Sequence, residues 1–259
     1  FYLCFVNYYT KCCILLNMKI KELSIIFPIY NEEQRLAKSF VKVKKLFKSF
    51  KSINIEIIFV NDGSTDRTHK LVTSFIKSIS KKNRKKLIYI NYKNNKGKGY
   101  ALKQGIKKSK KKWNLTCDID FSTDPTEINK WVKLNYINDE KNCYFGSRSL
   151  ESSVVDYSYL RYCLGNIFNI FVSMMFNLKI SDTQCGFKLY HKSYSKKIFS
   201  KLQENGYSHD VEISILLKKN LINVIELPIK WVHMDKSRLN IFYDGIKMII
   251  KLLFIRFKY

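Results

Sequence analysis

The chain has 259 residues, 46% hydrophobic and 15% aromatic, with 47 Lys and Arg against 21 Asp and Glu, a formal charge of +26. That much apolar and aromatic material excludes a disordered chain, 9 Gly and 3 Pro exclude collagen-like and linker-rich classes, and no repeat marks a solenoid. The length suits one large domain or two small ones. With 40 Lys and only 7 Arg, the cations suit a phosphate or a membrane surface better than nucleic acid, whose recognition leans on Arg forks.

Residues 1–17 (FYLCFVNYYTKCCILLN) are apolar but slightly short of the ~20 needed to cross a bilayer. Residues 1–21 are read either as a truncated N-terminal membrane anchor or as a leader ahead of Met18. From residue 22, continuous apolar runs predict strands at Leu23–Ile29, Ile55–Val60, Leu87–Tyr92 and Asn114–Ile119. Lys-faced helices are predicted between them at Glu32–Phe50, Thr65–Ser80 and Gly97–Lys110. This alternation predicts an α/β fold, a parallel sheet with helices on both sides and ligands outside the carboxyl ends of its strands.

Each predicted strand ends in a polar cluster. The first runs into Pro28-Ile29-Tyr30-Asn31-Glu32-Glu33 and the second into Asn61-Asp62-Gly63-Ser64-Thr65-Asp66. Either can be plain helix capping, although a carboxylate there can also accept from a nucleobase N–H. The third leads into Asn94-Asn95-Lys96-Gly97-Lys98-Gly99, a phosphate-friendly helix start without Walker spacing. The fourth ends in Cys117-Asp118-Ile119-Asp120, two carboxylates that suit a hard divalent cation, Mg²⁺ or Mn²⁺, on a diphosphate.

The second half is richer in apolar helix. Residues 156–178 carry a single cation, Arg161, and residues 241–259 carry Lys247 and Lys251 four apart. Both stretches have the character of interfacial helices, with ordinary core helices as the alternative. Seven scattered cysteines without a CxxC pair argue against a zinc site and a disulfide framework and favour a reducing compartment.

Taken in order, PIYNEE (28–33), VNDGSTD (60–66), NNKGKGYA (94–101), DID (118–120), GSR (146–148) and DTQCGFKLY (182–190) resemble the family-2 glycosyltransferases of the GT-A fold. Within that family the chain is most similar to the polyprenyl-phosphate branch, above all to dolichyl-phosphate β-glucosyltransferases. The resemblance implies a GT-A domain over 22–240, Rossmann-like with a mostly parallel central sheet, and a C-terminal amphipathic membrane-interface helix over 241–259. It implies inverting transfer of glucose from UDP-glucose to dolichyl or another polyprenyl phosphate, serving protein N-glycosylation. Dolichyl-phosphate mannosyl transfer from GDP-mannose, or a non-catalytic basic membrane-binding module, are the alternatives.

The resemblance further implies donor contacts from Pro28, Tyr30, Asn31, Glu32, Asp62, Gly97, Lys98, Asp118 and Arg238. It implies a metal on Asp118 and Asp120, and acceptor-phosphate contacts from Ser147, Arg148 and Arg161. Asp120, Arg148 and Asp210 would be catalytic, with Asp210 at the place where relatives that glycosylate hydroxyls carry their base. The implied partners are a UDP-sugar, the lipid phosphate and a membrane surface, with no nucleic acid. The implied location is the endoplasmic reticulum membrane, with the active site on its cytosolic face. Three positions depart from the family pattern: Asn61 replaces an Asp, Phe121 follows the Asp pair where Gly is usual, and Lys236-Ser237-Arg238 replaces Gly-Ser-Lys.

Overall fold

The computed structural model describes residues 20–156, 159–234 and 241–259, with the side chains of 159–164, 241–244 and 246 excepted. The segment 1–19, Arg238 and the Arg161 side chain therefore lie outside the described residues.

The elements are β1 (Glu22–Ile29), α1 (Glu33–Ser49), β2 (Asn54–Asp62), α2 (Thr68–Ser78), the single turn α3 (Lys81–Arg84), β3 (Leu87–Tyr92), α4 (Lys98–Lys108) and β4 (Trp113–Thr116). They continue with α5 (Glu127–Lys133), β5 (Cys143–Ser147), β6 (Val154–Asp156), α6 (Tyr159–Phe176), β7 (Lys188–His191), α7 (Lys192–Lys201), α8 (His209–Lys219), β8 (Val224–Pro228), β9 (Lys230–Val232) and α9 (Ile241–Lys258). The main sheet has the order β3-β2-β1-β4-β7-β5-β8. All its pairings are parallel except those of β7, which runs antiparallel to both β4 and β5. The short β6 and β9 pair separately.

The sheet is buried on both faces because its strands are apolar at consecutive positions. Leu23, Ile25 and Phe27 meet Leu36, Phe40, Val43 and Leu46 of α1, spaced to form one helix face. Ile26, Ile58 and Val60 point the other way, onto Ala101, Leu102 and Ile106 of α4. A third cluster joins Val172 of α6 and Leu252 and Ile255 of α9 to Val211 and Ile215 of α8. The end of α9 is fastened through buried Glu212. Its Oε1 accepts from the Lys258 ammonium (2.7 Å) and the Tyr259 hydroxyl (2.8 Å), and its Oε2 from the backbone N–H of Gln203 (3.1 Å) and Glu204 (2.6 Å). Burial alone would raise the Glu212 pKa, but these donors hold it below the usual value.

One boundary differs in a way that matters. The fourth strand stops at Thr116 rather than Ile119, because the Phe121 N–H donates to the Asp118 carbonyl (3.2 Å) and closes a turn. Phe121 has φ +60° and stacks on Phe27 in the core, with ring centroids 5.5 Å apart. Its bulk faces the interior and does not line the cleft described below.

Candidate active site

The carboxyl ends of β1, β2 and β4 open into a cleft of about 960 Å³, closed on the far side by α6, the start of α8 and α9. Pro28, Tyr30, Glu32, Asp62, Gly97, Lys98, Asp118, Asp120, Arg148 and Asp210 all line it, so the scattered sequence clusters converge on one space.

The rim is built by loops that pin one another. Asn31 sits at φ +50°, donates from its backbone N–H to Ser64 Oγ (2.8 Å) and accepts from the Thr65 N–H at Oδ1 (2.7 Å). Asn31 is not among the residues that line the cleft, and these bonds hold the two loops together. Asp62 is buried; its carboxylate accepts from the backbone N–H of Lys96 (2.9 Å) and Gly97 (2.8 Å) and from Asn95 Nδ2 (2.8 Å). The Gly99 N–H goes to the Asn205 carbonyl (2.8 Å). Three amides of the glycine-rich loop are thereby engaged within the fold, and the Lys98 side chain is what the loop presents to the cleft. Gly97 is required sterically, with φ +101° and an added Cβ placed 2.2 Å from the Asn205 carbonyl oxygen.

The carboxylate pair is flanked by cations. Lys98 Nζ lies 2.6 Å from Asp118 Oδ1. Burial works against this ammonium, but Asp118 and Asp210 outweigh it and hold its pKa above the usual lysine value. Arg35, a residue with no role assigned from sequence, donates to both oxygens of Glu32 (2.6 Å each) and lies 3.5 Å from Asp120. Its spacing three residues after Glu32 on a helix is the signal that identifies the pair. Burial first, and the charge of Asp118 second, raise the Asp120 pKa above the ordinary carboxylate range. A divalent cation would offset the charge of Asp118 that acts on Asp120, and carboxylate oxygens suit such a hard ion. Among the described residues no third His, Cys, Asp or Glu completes a cluster, so water and substrate oxygens would supply the remaining ligands.

Farther along, the Arg148 fork is given to Asp182, with Nε at 2.7 Å and a terminal nitrogen at 2.8 Å, and the guanidinium lies 5.8 Å from the Trp231 ring centre. Burial would raise the Asp182 pKa, yet Arg148 lowers it below its ordinary value. Ser147 is fully buried at the end of β5 and is not among the residues that line the cleft. Asp210 is paired with Lys188, whose ammonium also donates to the Thr183 carbonyl (2.8 Å). Burial pushes the Asp210 pKa up, but His209, Lys188 and Lys98 prevail and lower it. Sequence reasoning quoted Lys188 without a role; a Lys inside an apolar strand is itself a sign of a buried partner.

The model for glycosyl transferase family 2 matches residues 24–199. The chain is 38% identical over 247 residues to a dolichyl-phosphate beta-glucosyltransferase of Dictyostelium discoideum, covering 92% of this chain and 74% of that one. It is 31% identical to those of Saccharomyces cerevisiae and Homo sapiens, again over 92% of this chain, and 75% and 76% of theirs. Among solved structures, glucosyl-3-phosphoglycerate synthase from Mycobacterium tuberculosis, in complex with Mn²⁺, UDP and glucosyl-3-phosphoglycerate, superposes with a TM-score of 0.61. That match covers 90% of this chain and 79% of the other at 15% identity, which establishes a common fold. The chain is an enzyme of glycosyl transferase family 2 and belongs, within it, with the dolichyl-phosphate β-glucosyltransferases.

Proposed function

We propose that the chain transfers glucose from UDP-glucose to dolichyl phosphate, with inversion at the anomeric carbon and with Mg²⁺ or Mn²⁺, at the cytosolic face of the endoplasmic reticulum membrane. The observation that carries this reading is the composition of the cleft. One end holds Asp118, Asp120, Lys98 and Arg35, fit for a metal diphosphate, and the other is walled by apolar residues of α6 and α9. Beyond the cleft those two helices expose Met174 (73%), Phe254 (67%) and Phe257 (90%), a surface suited to a lipid interface. Among the described residues no helix is long and apolar enough to cross a membrane.

Asp118 and Asp120 would hold the ion, which when bound neutralises charge on the diphosphate. Lys98 adds a fixed positive charge at the departing UDP. The new bond joins the anomeric carbon to an acceptor phosphate oxygen as the bond to UDP breaks. That oxygen is already ionised at neutral pH, so no proton need be removed. Asp210, held ionised by buried cations, is accordingly a poor proton acceptor and serves to orient the cleft. Arg148 stabilises the acceptor end through charge and shape, with its fork anchored on Asp182. Arg161 and Arg238 are assigned acceptor and donor contacts from the sequence pattern, as are donor contacts for Pro28, Tyr30, Glu32 and Asp62. Residues 22–240 would form the catalytic domain, and 241–259 the membrane-interface helix.

The test is incubation of the purified chain with radiolabelled UDP-glucose or GDP-mannose, dolichyl phosphate and Mn²⁺. Label should enter the lipid from UDP-glucose. Labelling from GDP-mannose alone would make the chain a mannosyltransferase, and none from either would reduce it to a membrane-binding module.

A further inference from the structure

Among the described residues, two that line the cleft have a buried side-chain polar atom with no hydrogen-bond partner, Thr123 Oγ1 and His209 Nε2. His209 is the more constrained. Its residue is 1% exposed, its Nδ1 lies 2.7 Å from the Gly206 carbonyl oxygen, and its Cβ would lie 2.7 Å from a Cβ added at Gly99. A carbonyl oxygen accepts only, so Nδ1 carries the proton and Nε2 the lone pair of the neutral ring. Burial is the largest influence on the imidazole and, with Lys98 and Lys188 beside it, prevails over the opposing charge of Asp210, so the pKa falls below the usual histidine value.

Nε2 lies 3.4 Å from Asp210 Oδ2, while Asp210 Oδ1 is taken by Lys188. His209 Nε2 is therefore an unmatched acceptor in a residue of the cleft wall, with Asp210 Oδ2 beside it. A buried acceptor left unmatched is costly, so the partner must be a group that brings an O–H or N–H. Phosphate and diphosphate oxygens at neutral pH bring none. The hydroxyls of a sugar do.

We propose that His209 Nε2, beside Asp210 Oδ2, accepts a hydrogen bond from a hydroxyl of the donor sugar and thereby makes His209 a specificity-determining residue for the donor. This rests on the glycosyl-transfer reading above. A site built to meet a substrate hydroxyl discriminates against the analogue that lacks it, because its polar atoms are then unpaired.

The experiment measures binding of UDP, UDP-glucose and the 2-, 3-, 4- and 6-deoxyglucose analogues of UDP-glucose to the Mn²⁺-loaded protein, without acceptor. In the wild type one deoxy analogue should bind about 10-fold more weakly than UDP-glucose. His209→Phe should erase that difference while leaving UDP affinity unchanged, and His209→Gln, whose amide oxygen is an acceptor, should restore part of it. Equal losses for UDP and UDP-glucose in His209→Phe would mean that the ring supports the loop or meets the nucleobase, and would overturn the proposal. The same deoxy profile in wild type and His209→Phe would overturn it too. Wild-type protein that binds no UDP-glucose would overturn both this inference and the donor reading, whereas binding without transfer to dolichyl phosphate would overturn only the acceptor reading.

Discussion

Replacing Lys188 by Met removes one half of a buried ion pair while keeping an unbranched apolar stem in place. Lys188 is 1% exposed and Asp210 is 5% exposed, so neither is rescued by bulk water. The substitution strands the Asp210 carboxylate and the Thr183 carbonyl, which together receive the ammonium. One-sided removal of a buried pair costs about 3–5 kcal/mol. Lys98 still favours the Asp210 charge, which places the expected loss near the lower end, about 3 kcal/mol. In a domain of this size that lowers the melting temperature by roughly 6–12 °C. Adding Asp210→Asn to Lys188→Met removes the stranded charge and should return about 2 kcal/mol. Urea unfolding of the wild type, both single variants and the double variant closes the cycle. A double variant that loses the sum of the two single losses would show that the side chains are not coupled, and would refute the reasoning.

Asp120→Asn should reduce turnover ~100-fold with the melting temperature retained; full activity in excess chelator would remove the metal assignment. Asp182 has a folded pKa below its unfolded value, so its stabilisation is present above the unfolded pKa and disappears as pH falls through the lower folded one. Asp182→Asn should therefore be less stable than wild type at pH 7, with the gap in urea midpoint closing as the solution is acidified below about pH 4. Gly99→Ala places a methyl group 2.5 Å from the Glu204 carbonyl oxygen and 2.7 Å from His209 Cβ. It should displace the loop that presents Lys98 and weaken UDP binding, read by calorimetry. The purified protein should float with anionic liposomes at low salt and be partly released at high salt, each suitably placed cation contributing about 1 kcal/mol; no flotation at low salt would mean that the exposed faces of α6 and α9 do not meet lipid.

The parallel strands of the amino-terminal half were legible because buried parallel strands announce themselves as consecutive apolar residues, as in Ile55–Val60. The cleft lies at the carboxyl ends of those strands, where such sheets hold their ligands. What stayed hidden was who holds whom. Asn31, Asp62 and Gly97 look like ligand contacts in one dimension, yet much of their hydrogen bonding runs between neighbouring loops 33–35 residues apart. No local pattern encodes that. Ser147 is buried because a strand end adjoining a site still turns some side chains inward. His209 carries no motif at all; it becomes informative only when its burial and its empty acceptor are known together.

Glu212 gives the two ends of the enzyme a common fastening. Its Oε1 holds the last two residues of the chain, and its Oε2 holds the segment whose next residue, Asn205, presses its carbonyl against Gly97 and Gly99. Slack in the tail is therefore not confined to the tail. Detergent that peels α9 from its bed should loosen the grip on UDP some distance from where the disturbance was made, so donor affinity doubles as a gauge of how firmly the helix is seated.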